Sequence, residues 1–560
     1  MNTIPKETSS TETSFAHDLG RFGSRLALIE AATGQEVTYS ALEALVQARM
    51  HALQGARSLA FIEAKNTVKT VVNYLAAVRC RHVSYLVEDI RHERVSQLTE
   101  TYRPRLVLTD DETILSDAAV DYALHPKLSL LLSTSGSTGS PKFVKLSLAN
   151  LHANATSIAE YLRLDDTDRA YHHLKTFYSY GLSVVNSHLA VGAALVLTDN
   201  SVASPDQFWG DFRTFGATSF AGVPFTFETI AAAGFDPTAF PSLRYATQAG
   251  GKLGPDLVTH FATTLQAADR RFYVMYGQTE ASPRISYLPP ELALRHPTSI
   301  GRAIPGGRLL VVDDDGNPIE TIGTPGQLAY EGPNVMMGYA TTPAALAGDE
   351  TPQRLLTGDL AVRIEGGLFE ITGRLSRIVK PLGLRVNLDD LQAMILRVTG
   401  IEVVATGNDK CIALATRSHT RIPLDQISAA TGVPRSLFHV TRYDEYPRLP
   451  NGKLDYMEMI ADAQDPNRNA SVWTKWLNRI GDILGVKTGA YGSIDELFND
   501  VLGRSLQPSE SIASASYDSL AFVELTLGME ALFGEDLPEH WHEMSYAELE
   551  KEYIARRVAA

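Results

Sequence analysis

Cysteine is almost absent. The 560-residue chain has two, Cys80 and Cys411, far apart in sequence. A disulfide scaffold and a cysteine-based metal cluster are therefore excluded. Long hydrophobic runs are also missing. The apolar stretch Leu189–Leu197 has only 9 residues, well short of the roughly 20 that cross a bilayer, so no membrane span is expected. Positive charge is in deficit: 50 Lys+Arg stand against 65 Asp+Glu, a formal net charge of −15. A field of that sign opposes nucleic acid and anionic lipid as general partners. No internal repeat is visible. The polar N-terminus MNTIPKETSSTETS has no apolar run behind it and does not read as a secretory signal, so a cytoplasmic location is expected.

What remains is globular composition, 44% hydrophobic and 21% charged, in a chain long enough for two to four domains. Residues 1–15 read as a disordered tail. Beyond them LALIE, SLAFIE, HVSYLV and RLVLT look like short buried strands, alternating with helical patterns such as YSALEALVQARMHAL and TVKTVVNYLAAVR. That alternation predicts α/β layers around mostly parallel strands. Near 305–340 the DG turn and the Gly/Pro punctuation of GGRLLVVDDDGNPIETIGTPGQLAYEG suggest an antiparallel subdomain. The expected organisation is a large domain over 16–373, a small mobile α+β domain over 374–460, a polar linker over 461–472 and an all-α module over 473–560. The acid is concentrated in that last module. From Ala470 to Ala560 there are 15 acidic and 7 basic side chains, net −8.

Four segments look chemical. STSGSTGSPK (Ser133–Lys142) follows the strand-like LSLLL. Its glycines let the backbone approach an anion, and its hydroxyl and amide donors suit phosphate oxygens. It is not a Walker A loop, and a flexible Gly/Ser loop fits its composition as well. YGQTE (Tyr276–Glu280) follows RFYVM, placing a ring, a hydroxyl and a carboxylate at a strand's C-terminal end, the ligand side of a parallel sheet. Glu280 offers hard oxygens to Mg²⁺. Asp359 in TGD suits two ribose hydroxyls, although a surface turn fits equally. Lys453, on the turn LPNGKLDY, is either a solvated lysine or one cation held over a site.

Taken together, STSGSTGSPK, FYSYG, AGGKL, YGQTE, TGD, GRLSRIVKPLGLRV and NGKLD, in that order over about residues 20–460, resemble the adenylate-forming superfamily of acyl-CoA synthetases, luciferases and peptide-synthetase adenylation domains. The resemblance implies that Thr134, Ser135, Gly136, Ser137, Thr138, Gly139 and Lys142 hold the ATP phosphates. Gly250 and Gly251 would lie along the adenine, with Tyr276 stacked on it. Thr279 would meet the α-phosphate, Glu280 the Mg²⁺, and Asp359 the ribose with help from Arg374. Ser376 would mark the hinge of the small domain. Gly383 would enter the site for thioester formation, and Lys453 would bridge carboxylate and α-phosphate. Tyr178, Gly181, Val223, Phe227 and Gly251 are the expected acyl pocket. Several positions depart from the pattern. Phe143 stands where a glycine usually follows the loop lysine, and Leu148 where a histidine is frequent. Tyr178 stands where amino-acid-activating members place an Asp.

The C-terminal module, with Asp518-Ser519-Leu520 opening an apolar-faced helix, resembles acyl- and peptidyl-carrier domains, which form four-helix bundles. That resemblance implies 4′-phosphopantetheine on Ser519, a phosphopantetheinyl transferase to attach it, and a downstream acyl-accepting enzyme as partner. Ser516 replaces the glycine usual two residues before the Asp. The expected activity is ATP-dependent conversion of a carboxylic acid to acyl-AMP, followed by transfer to the module's own pantetheine thiol. Because Tyr178 offers no partner for an ammonium group, a fatty or other apolar non-amino acid is favoured. The alternatives are an acyl-CoA ligase using free CoA, an amino-acid-activating didomain and a non-catalytic scaffold.

Overall fold

The computed structural model describes residues 14–115, 123–133, 142–379 except 203, 381, 386–449 except 409, 419 and 432, and 454–464. In the C-terminal region it describes 493–511, 525, 528–529, 532–533, 541 and 544–559. The expected site residues Thr134, Ser135, Gly136, Ser137, Thr138, Gly139, Gly383, Lys453 and Ser519 lie outside the described residues.

The chain forms two compact units. The first comprises Met1–Val398 with Tyr446–Met457, and the second Thr399–Glu445 with Glu458–Ala560. The break thus falls at 398, beyond the boundary expected at 374. The stretch just past 374 is tied within the first unit: Arg377 Nε donates to Asp389 at 2.6 Å and its Nη2 to Gln392 at 2.6 Å.

Two sheets dominate the first unit. The smaller has seven strands, in the order Tyr339–Ala340, Phe143–Ser147, Leu128–Ser133, Val83–Val87, Leu59–Glu63, Leu106–Leu108 and Thr113–Leu115. Its four central strands are parallel. The larger has thirteen strands. Six of them run parallel: Arg271–Gly277, Tyr245–Gln248, Ser219–Gly222, Arg169–His172, Ala194–Leu197 and Leu26–Glu30. An antiparallel extension beyond Arg271–Gly277 carries Arg284–Leu288, Ser299–Ala303, Leu368–Arg374, Leu355–Ile364, Gly326–Glu331 and Arg308–Val312.

The parallel strands are short apolar runs because helices cover both faces, and Leu59–Glu63 and Val83–Val87 are buried at every position. The helices Val68–Arg79, Leu148–Leu162 and Ser179–Val191 join residues of both sheets in one hydrophobic cluster. Ten of the twelve residues of Val68–Arg79 are buried, which accounts for its apolar composition on every side. Local signals set the helix starts. Thr67 accepts from the Thr70 N–H, and Ser147 forms a reciprocal capping box with Asn150, each such cap contributing about 1 kcal/mol. A second cluster behind the large sheet is aromatic, with Phe208, Phe212, Phe220, Phe227, Phe261 and Phe272 in edge contacts.

The second unit contains a three-stranded sheet. Val403–Asn408 pairs antiparallel with Cys411–Thr416, which pairs parallel with Phe438–Arg442 across the helix Leu424–Thr431. Further along are the helices Ile494–Leu502 and Tyr546–Ala559. Residues of this region form a cluster of their own, with Leu497, Phe498, Leu525, Met529, Trp541 and Leu549 at its centre. Among the described residues no helix is long and apolar enough to cross a membrane.

Candidate active site

The parallel strands Ser219–Gly222, Tyr245–Gln248 and Arg271–Gly277 lie side by side in register, so their C-terminal ends deliver Val223, Gly250 and Tyr276 to one rim. Gly250 has φ of +86°, and a Cβ there would fall 3.2 Å from Val223 Cγ1. At Gly251 a Cβ would fall 3.0 Å from Pro224 Cγ. A bare backbone is thus required where a planar group is expected to lie. The Gln248 amide donates to the Gly251 carbonyl at 2.8 Å and holds this turn.

Tyr276, Asp359 and Arg374 form a trio. The Tyr276 hydroxyl donates to one oxygen of Asp359. Arg374 Nε is 2.9 Å from the other. The pairing is built into the sheet, because Asp359 and Arg374 face each other on neighbouring antiparallel strands. Burial, followed by the charge of Asp359, raises the Tyr276 phenol well above its ordinary value, so it stays protonated and acts as the donor. Asp359 is only 8% exposed.

Next along the rim, Thr279 Oγ lies 3.2 Å from Ser179 Oγ, at the start of the helix Ser179–Val191. Glu280 is half-buried. One of its carboxylate oxygens accepts from the Tyr339 hydroxyl at 2.8 Å, which leaves the other for a further partner. The ring of Tyr339 in turn carries the Lys142 ammonium 3.3 Å from its centroid, a cation–π contact. Lys142, expected at phosphate, and Glu280, expected at metal, are therefore joined through Tyr339. Among the described residues no group of three or more His, Cys, Asp and Glu could hold a metal ion.

The expected acyl pocket divides. Val223 and Gly251 lie on the rim. Phe227 is fully buried among Phe220, Phe261 and Phe272, and the aromatic core accounts for it. At Gly181 a Cβ would fall 2.3 Å from the Lys175 carbonyl oxygen, so close backbone approach explains that glycine. The Tyr178 ring packs 4.4 Å from Phe177, and burial with the nearby Glu88 pushes its phenol up to about 12. Ser376 lies in the short turn Leu375–Arg377. His172 and His173 are structural. Their Nε2 atoms meet Thr176 Oγ at 3.0 Å and the Ala221 carbonyl at 2.7 Å, and burial lowers them to about 3 and about 4, so both are neutral. Ser179, Tyr180, Arg284 and Tyr339 were not singled out by the motifs. Ser179 and Tyr180 sit inside FYSYG, and Arg284 lies four residues past Glu280, so proximity to a motif was their one available signal.

Residues 124–340 match the family model described as AMP-binding enzyme. Over that segment the chain is similar to AMP-binding enzymes, and an acid-activating ligase activity is what these matches support. It is 26% identical over 369 residues to the oxalate–CoA ligase of Arabidopsis thaliana, covering 62% of this chain and 70% of that one. It is 29% identical over 352 residues to the L-proline–[L-prolyl-carrier protein] ligase of Pseudomonas fluorescens, covering 60% and 68%. The fold is similar to that of ATP-bound MatB from Rhodopseudomonas palustris, with a TM-score of 0.66 at 21% identity over 81% of this chain and 99% of that one.

Proposed function

We propose that this enzyme joins a carboxylic acid without an α-amino group to AMP and passes the acyl group to a pantetheine thiol. The observation that carries this reading is the Tyr276–Asp359–Arg374 trio, set beside the Gly250 backbone and next to Thr279 and Glu280. In the first step a carboxylate oxygen bonds to the α-phosphorus of ATP and the bond to pyrophosphate breaks. In the second a thiol sulfur bonds to the acyl carbon, the bond to AMP breaks, and the thiol proton leaves to solvent.

The residues fit the nucleotide. Asp359 accepts from ribose hydroxyls, held in place by Arg374 and the Tyr276 phenol. The bare Gly250 backbone admits the base, and Lys142 is a cation for phosphate. Glu280 fits one Mg²⁺, an ion usually held by one or two carboxylates together with substrate phosphates; when bound, it supplies neutralisation of phosphate charge. Thr279 donates to phosphate oxygen while Ser179 orients it. Lys453 is assigned to the reacting oxygens.

The thiol acceptor is free CoA on the reading that the oxalate–CoA ligase relative supports. A second reading makes Ser519 the pantetheine carrier. Two observations favour it: the hydrophobic cluster formed by residues 494–549 alone, and the carrier-protein ligase among the relatives. Tethering would raise the local thiol concentration to the order of mM. A phosphopantetheinyl transferase and an acyl-accepting enzyme would then be its partners.

Acid-dependent exchange of pyrophosphate into ATP tests the first step. Lys453→Ala should cripple acyl-adenylate formation yet leave transfer from supplied acyl-adenylate largely intact, and equal loss of both would contradict its role. Intact-mass analysis after phosphopantetheinylation separates the acceptors. Acyl mass on the wild type and none on Ser519→Ala supports the carrier, whereas acyl-CoA as the sole product supports free CoA.

A further inference from the structure

Arg284 opens the strand Arg284–Leu288, four residues past Glu280, and is only 2% exposed. A guanidinium cannot be deprotonated in a protein and carries five N–H donors. Here two of those donors have partners, and both partners are neutral. Nη1 lies 3.1 Å from the Met275 thioether and Nη2 3.3 Å from Ser183 Oγ. The Tyr180 ring lies 4.1 Å from the guanidinium carbon. Nε is buried with no partner, and among the described residues no carboxylate pairs with the group. Holding such a charge out of water costs several kcal/mol unless an anion answers it. Among the described residues nothing supplies one.

The surroundings show where an anion would come from. The Tyr180 hydroxyl donates to the Thr247 carbonyl at 3.0 Å, and a Cβ on Gly250 would lie 3.9 Å from Tyr180 Cδ1. The Tyr180 ring therefore spans from Arg284 to the nucleotide rim. On the same helix, Ser179 touches Thr279 and Ser183 touches Arg284. Four residues of helix separate them, about 6 Å of rise. Arg284 thus lies about one helical turn along this helix from the Ser179–Thr279 contact.

We propose that Arg284 binds a second carboxylate of the acid, so that the substrate is a short dicarboxylic acid activated at its other end. This rests on the acyl-adenylation reading and refines it. A wholly apolar tail would leave the guanidinium buried and unanswered. A second carboxylate accepts from the uncommitted donors of the fork, the geometry that suits planar bidentate pairing.

The test uses the full-length protein, straight-chain acids from two to six carbons as paired mono- and dicarboxylates, and the variants Arg284→Met and Arg284→Lys. Pyrophosphate exchange should favour the preferred diacid over the monoacid of equal carbon number by about 10⁴-fold in kcat/KM, the scale of a site left with an unpaired polar group. Arg284→Met should remove that preference and Arg284→Lys should restore part of it. The same diacid should raise the melting temperature of the wild type and not of Arg284→Met. Equal or better exchange with monoacids, an unchanged preference in Arg284→Met, or a diacid-induced melting shift that persists in that variant would overturn the proposal while leaving adenylation standing. Exchange with no acid at all would overturn the adenylation reading instead, and the melting shift would still decide whether Arg284 binds a dianion.

Discussion

Lys145 and Arg284 are both buried cations in the first unit, 0% and 2% exposed, and their surroundings are opposite in kind. The Lys145 ammonium has three donors and uses all three: it meets the Ala345 carbonyl at 2.9 Å, the Gly348 carbonyl at 2.8 Å and the Glu350 carboxylate. It ties the strand Phe143–Ser147 to the loop after Ala340, and nothing about it calls for a ligand. Arg284 uses two of its five donors, on a thioether and a hydroxyl. The difference teaches how to sort buried charge. A saturated cation belongs to the fold, and an unsaturated one beside a reaction rim belongs to the substrate.

That contrast breaks most readily on stability. Lys145→Met should lower unfolding stability by about 2 kcal/mol, because the Ala345 and Gly348 carbonyls lose their donor while the exposed Glu350 stays hydrated, read as a fall in the urea midpoint. Arg284→Met should cost under about 1 kcal/mol or raise stability, because it replaces an unanswered charge by an apolar chain. Equal losses would end the distinction between the two sites.

Asp359 is a buried anion paired with Arg374 and the Tyr276 hydroxyl. Asp359→Asn keeps its shape and removes its charge, and kcat/KM for ATP should fall by about 100-fold with little change in the melting temperature, since only the charge-assisted bonds weaken. A large loss of stability with unchanged ATP kinetics would place Asp359 with Lys145 instead. A smaller effect is expected at Tyr339, which links Lys142 to Glu280. Tyr339→Phe removes one hydrogen bond and keeps the ring, so exchange activity should fall by about 10-fold or less at limiting Mg²⁺ and recover at high Mg²⁺.

The mildest test is acid titration of a fully answered pair. Glu43 accepts from both terminal nitrogens of Arg79, at 2.7 and 2.8 Å. Those bonds hold its carboxyl at about 2, below the ordinary 4.5. Because the folded value is depressed, the stability it contributes is complete above about 4.5 and is lost as pH falls toward about 2. Glu43→Gln should flatten that part of the pH–stability curve, while Arg284→Met should leave it unchanged.

Much of the frame was legible in sequence. Apolar runs such as LSLLL and RFYVM became strands Leu128–Ser133 and Arg271–Gly277, because burial on both sheet faces demands continuous apolar residues. The helices Tyr39–Ala52 and Val68–Arg79 follow the expected patterns. The ordered motifs also led to the rim residues Gly250, Tyr276, Thr279, Glu280 and Asp359. Phe227 and Gly181 were less legible. A phenylalanine next to a strand end looks the same whether it faces a pocket or an aromatic core, and a glycine does not declare which backbone passes it. Arg284, Lys145 and Tyr339 carried no motif of their own.

By itself the sequence determined which elements form, the order of the chemical segments and the acid-rich character of the C-terminal region, because these depend on local periodicity, local chain stiffness and composition. Only the tertiary structure decided which charges are answered. Lys145 finds Glu350 across 205 positions, and Tyr276 finds Asp359 across 83. Arg284 meets Ser183 across 101 positions and no carboxylate among the described residues. Electrostatic pairing acts over a few ångströms of space and is indifferent to separation along the chain. A cation's function is therefore set by the fold that surrounds it.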